Sequence, residues 1–184
     1  GTVRNIISGK IKTPSAQMIG RISEAISETI PPNVQDEIDT ESKVIVSGDA
    51  GASVAATIRG GEVYVGGNAG ARAGISMKGG TLIVGGNAGF LTGFMMQKGR
   101  IIVCGDVGEA VGDSMYEGAI YVGGEIGSLG TDAKTEEIGE DELLDILATL
   151  ESHGIKQSYT FTKVVSAKKL YHFDSLERLE KIVI

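Results

Sequence analysis

The segment Gly67-Asn68-Ala69-Gly70-Ala71-Arg72-Ala73-Gly74 returns as Gly86-Asn87-Ala88-Gly89-Phe90-Leu91-Thr92-Gly93 and as Gly105-Asp106-Val107-Gly108-Glu109-Ala110-Val111-Gly112, always at the same step of nineteen. That step carries one glycine column through Gly48, Gly67, Gly86, Gly105 and Gly124, and a second through Gly51, Gly70, Gly89, Gly108 and Gly127. Just ahead of the first column, Val46, Val65, Val84, Val103 and Val122 keep register, as do Val44, Val63, Leu82, Ile101 and Ile120 two residues earlier. An unbroken period of this length marks a solenoid, whose repeats bury their apolar faces against one another.

The repeat also selects the kind of solenoid. Each copy holds a short β-branched run (VIV, VYV, LIV, IIV, IYV) and leaves no room for a ten-residue helical pattern. The coil is therefore strands and turns. If Val44 and Val46 face inward, the period of two carries the interior through Gly48 and Ala50 to the column Ala50, Ala69, Ala88, Val107 and Ile126. Ile58, Met77, Met96 and Met115 form another equivalent column, read as core filler because methionine adapts to irregular gaps. Gly61, Gly80, Gly99 and Gly118, with Gly74, Gly93 and Gly112, mark further corners that need positive φ or close backbone approach. Five coils at about 4.8 Å each predict a prism about 24 Å long.

These repeats resemble the C-terminal GXGXG domain of glutamate synthase large subunits, a family that folds as a right-handed β-helix. The motif covers residues 41–130; the tail, with Ser128-Leu129-Gly130-Thr131-Asp132 and Ser166-Ala167-Lys168-Lys169-Leu170-Tyr171-His172-Phe173, follows the stand-alone glutamate synthase-like proteins more loosely. That group includes a subunit of methylamine-glutamate N-methyltransferase. Similar repeats occur in one subunit of formylmethanofuran dehydrogenase, a second candidate. The expected fold is mostly β: a single-stranded right-handed parallel β-helix of about five 19-residue coils, an N-terminal helix, and a C-terminal cap of helix and strand. In domain terms, residues 1–40 form a strand and capping helix, 41–130 the repeat core, and 131–184 the cap or tail.

The resemblance implies a noncatalytic spacer that holds glutaminase and synthase active sites in register. It implies glutamine amidotransferase and FMN-dependent synthase subunits as partners, with FMN and an iron–sulfur cluster bound by them and no cofactor on this chain. An outer face left sticky until partners bind is expected, and a homo-oligomer is left open. An independent left-handed β-helix acyltransferase fits less well. Its coils are built of whole hexapeptides, which a step of nineteen breaks, and its catalytic histidine has no candidate here.

The chain has 184 residues, enough for a core without disulfides, and its 28 glycines are periodic rather than scattered. Its single cysteine, Cys104, excludes an intrachain disulfide or a four-cysteine cluster and is read as outward or partly buried. A net charge of −7 disfavours nucleic acid and anionic membranes. No segment reads as a secretory signal or membrane span, so a cytoplasmic location is expected.

Outside the repeats, Thr13-Pro14 opens a helix carrying Met18, Ile19, Ile22 and Ile26 and ended by Pro31-Pro32. Glu140–Ser152 is a second helix, with Leu143, Leu144, Leu147 and Leu150 on one side and Gly154 past its end. Residues 158–166 read as a strand, and Asp174 opens a last short helix.

Candidate chemistry is thin. His153 and His172 lack metal-ligand spacing, and each glycine loop leads into another strand rather than the helix a phosphate-binding loop needs. The column Asp49, Asn68, Asn87, Asp106 and Glu125 is read as satisfying turn amides, its residues bonding their own backbone, before it is read as a cation site. Arg72, Lys78 and Lys98 offer a small basic spot, with surface solvation as the default reading.

Overall fold

A computed structural model describes residues 42–156 and 160–168, all within one compact unit, Ile38–Ile184. The expected strand at 1–12, the helix opened by Pro14, the helix opened by Asp174, and His172 lie outside the described residues.

Five short strands stack in parallel: β1 (Lys43–Val46), β2 (Glu62–Val65), β3 (Lys78–Val84), β4 (Lys98–Val103) and β5 (Ala119–Val122). Their register joins Val44, Val63, Leu82, Ile101 and Ile120 into one ladder, and single bridges join Ala50, Ala69, Ala88, Val107 and Ile126 into another. The chain is a parallel β-solenoid. Five rungs enclose about four complete turns, fewer than the five coils expected, because the last coil fails to close in register. Leu129 bridges Val111, one position short of the full step, and the chain then leaves the spiral. Four steps span about 19 Å.

The interior follows the inward period of two. Val65, Leu82, Val84, Ile101, Val103, Ile120 and Val122 are fully buried, as are Met77, Met96 and Met115. The columns thin out toward the first rung: Val44 is 56% exposed, and Val46 and Val63 are only partly buried.

After the coils come β6 (Ala133–Glu136), helix α1 (Glu140–Ser152) and β7 (Thr162–Ser166). β7 pairs antiparallel with β5, and β6 pairs antiparallel with β7. The C-terminal cap thus divides into two parts. The strands seal the end of the solenoid. β7 occupies part of the strand expected at 158–166, while β6 has no counterpart among the sequence-based expectations. The helix packs against the outward side of the coil strands, where Ile146 and Leu150 join Ile83, Ile102, Tyr121 and Phe161 in a second core.

Helix α1 places Leu143, Ile146 and Leu150 toward the strands at helical spacing, and Leu144, expected on that side, is 64% exposed. Its carboxyl end closes in a Schellman motif: Ile155 N–H donates to Leu150 O at 3.1 Å, and Gly154 N–H to Glu151 O at 2.9 Å. Gly154 has φ +76°, the left-handed conformation this motif requires.

Candidate functional site: the ladder columns and the helix-covered face

The first glycine column exists to make room. A Cβ on Gly86 would stand 2.5 Å from Asn68 Oδ1, and one on Gly105 2.1 Å from Asn87 Oδ1, each from the coil before. The same relation holds for Gly67 against Asp49 and Gly124 against Asp106, at 2.2 Å in both. Those side chains do not turn back on their own backbone as the sequence suggested; they reach along the solenoid. Asp49 Oδ1 accepts from Asn68 N–H at 2.7 Å, Asn68 Oδ1 from Asn87 N–H at 2.9 Å, Asn87 Oδ1 from Asp106 N–H at 2.9 Å, and Asp106 Oδ1 from Glu125 N–H at 2.8 Å. Each coil therefore hands a side-chain acceptor to the next, and a glycine one residue ahead of that amide gives the acceptor its path.

In the second column, Gly70, Gly89, Gly108 and Gly127 let backbone pass backbone, a Cβ there meeting main-chain atoms of the preceding coil at 2.7 to 2.9 Å. Gly48 and Gly51 begin the two columns, and a Cβ on either would meet nothing within 4 Å. The inner corner is different again. Gly74 has φ +70°, and a Cβ there would press on Ile101 Cδ1 at 2.4 Å, so both conformation and space call for glycine.

On the outer face, α1 runs along the solenoid axis. Tyr121 of β5 donates its hydroxyl to Glu142, Arg100 of β4 bonds Asp145 and Thr149, and His153 at the helix end meets Glu62 and Tyr64 of β2. The eleven steps from Glu142 to His153 rise about 16 Å, and the three coil steps from β2 to β5 span about 14 Å, so helix and coil stack keep nearly equal measure.

Polar groups under the helix pair up. His153 Nε2 lies 2.8 Å from Glu62 Oε1, and its ring stacks on Tyr64 with centroids 4.3 Å apart. Burial works to raise the Glu62 carboxyl, but hydrogen bonds from His153 and Lys43 outweigh it and hold the group below its ordinary value. Glu142 behaves alike: burial raises it, and bonds from Tyr121 and Lys163 pull it lower. Burial, then the adjacent Glu142, push the Tyr121 hydroxyl far up, keeping it a neutral donor.

Cys104 faces outward from the coil, as expected, but is buried at 4% exposure within the core beneath α1. Sequence periodicity places it correctly off the inner face; the helix that covers it is remote in sequence. Among the described residues no group of three or more His, Cys, Asp or Glu is placed to hold a metal ion, and no helix is long and apolar enough to cross a membrane. The basic spot assembles in part. Lys78 and Lys98 line one trough with Arg59 and Arg100, while Arg72 is not part of it.

A family model described as the GXGXG motif matches residues 16–182. The chain belongs to this GXGXG family, that of the C-terminal domain of glutamate synthases. No curated protein shows significant similarity to it. In this GXGXG protein the named glycines are the positions at which coil meets coil, and the side chains beside them are engaged in holding the coils together.

Proposed function

We propose that this GXGXG protein is the structural, noncatalytic subunit of a glutamate synthase-like assembly, holding a glutaminase and an FMN- and iron–sulfur-dependent synthase at a fixed separation. The family match over residues 16–182 is the observation that carries this reading. Physical support comes from the ladder. A stack whose coils are joined by both backbone and Asx side-chain bonds is a stiff spacer, and holding two sites in position is a contribution of orientation rather than bond-making. Its own helix covers much of the outer strand face expected to stay sticky. The apolar groups left for a partner include Phe90 and Met95 on the turns and Leu144 on α1, at 50%, 38% and 64% exposed.

The test is native mass spectrometry of the tagged chain recovered from its own host, with an absorption spectrum of the same sample. Co-purification with flavin and iron–sulfur proteins bearing amidotransferase or synthase domains is expected. A colourless chain or homo-oligomer, recovered without such partners, would overturn the proposal.

A further inference from the structure

Four cationic side chains, Arg59, Lys78, Lys98 and Arg100, line a trough of about 490 Å³ at the corner where three successive coils enter their strands. This is a concentration of positive charge on a chain whose net charge is −7. The arrangement is unfavourable as it stands. Lys78 and Lys98 are direct register partners on β3 and β4, and like charges opposed across strands repel. Arg59 stands one coil before Lys78. Arg100 is neutralised by Asp145 of α1. The side chains of Arg59, Lys78 and Lys98 have no ion-pair or hydrogen-bond partner among the described residues, and no carboxylate of those residues lines the trough.

The floor explains itself without a ligand: a Cβ on Gly79 would lie 2.2 Å from Arg59 O, and one on Gly80 2.8 Å from Gly61 O, so stacking alone requires those glycines. Stacking does not require the cations above them.

We propose that this trough binds a compact polyanion carrying two or more phosphate groups, whether free diphosphate or the diphosphate of a small metabolite. Three unpaired cations spread over two coil steps, about 10 Å, match an extended row of phosphate oxygens. Arginine and lysine above a floor that is glycine except for Thr81 let phosphates approach closely. A glycine floor offers no pockets for alternate side chains, which a bound peptide strand uses for specificity, so the small polyanion is favoured over an acidic protein segment. The inference stands on this corner alone and is independent of the subunit proposal.

Isothermal titration of the full chain with pyrophosphate, ADP and a hexaglutamate peptide tests it, alongside Lys78→Gln/Lys98→Gln and Arg59→Gln variants whose folding is checked by circular dichroism. Saturable binding of pyrophosphate or ADP is expected, weakening as salt rises and falling about tenfold for each cation removed. Equal affinity for both ligands would place recognition on the phosphates. Tighter binding of ADP would add the organic part, and either result supports the site. No binding, binding unchanged in the folded variants, or preference for hexaglutamate would overturn it.

Discussion

At the scale of single residues, the pairing of a glycine with the Asx side chain one coil earlier is the relation on which the stack depends. Gly86→Ala is expected to destabilise the chain, because its Cβ falls 2.5 Å from Asn68 Oδ1, and Gly86→Val to unfold or aggregate it. Asn68→Ala should weaken it by about 1 kcal/mol, through loss of the acceptor for Asn87 N–H. Combined, Gly86→Ala and Asn68→Ala should cost less than their sum by about 1 kcal/mol or more, since the second change removes the atom the first collides with. Urea denaturation of the four proteins checks this, and strict additivity would show that the column serves something other than clearance for the Asx side chain. The glycine columns were legible from periodicity alone. Their reason was not, because a constant step along the chain does not reveal whether Asn68 bonds its own backbone or the next coil's.

At the scale of elements, helix α1 and the outer strand face are coupled by carboxylates at both ends. Glu62 and Glu142 are held below the ordinary 4.5 in the folded chain, so their contribution is present above about pH 4.5 and is lost as pH falls through the lower folded values. The melting temperature should therefore drop on acidification below that point. A Glu62→Gln/Glu142→Gln variant should melt lower than the parent at neutral pH and show a flatter acid limb. Equal slopes in circular dichroism melts of the two proteins would count against this coupling. The helix itself was plain in the sequence, from its acidic first turn to Gly154. Its buried side was not: Ile146 faces the strands and Leu144 faces solvent, because four leucines outweigh the single isoleucine when the pattern is read by itself. Where the helix packs was not legible at all. That Tyr64, Ile83, Ile102 and Tyr121 need a cover follows from their outward apolar character, but only the fold brings residues 140–155 across them.

At the scale of the molecule, a solenoid has two ends and an exposed wall, and the C-terminal region serves the wall and one end together. β7 occupies the free edge of β5, and β6, the next strand out, carries Lys134 and Glu136, charges that discourage further pairing. The end of the period after Gly130, and the need for a cap beyond it, were legible in the sequence. β6 was not, because Ala133–Glu136 has no apolar alternation, its pairing with β7 being decided by backbone bonds at an edge. A chain ended at Gly130 keeps every coil yet loses β6, α1 and β7. Ile83, Ile102 and Tyr121 would then be uncovered together, beside the unpaired edge of β5. Such a chain is expected to associate through that edge, giving concentration-dependent oligomers or precipitate in light scattering where the full chain gives a smaller, constant mass. A truncated protein that stays monomeric and melts cooperatively would show that the coils are self-sufficient. The cap would then owe its place to a partner rather than to the stability of the stack.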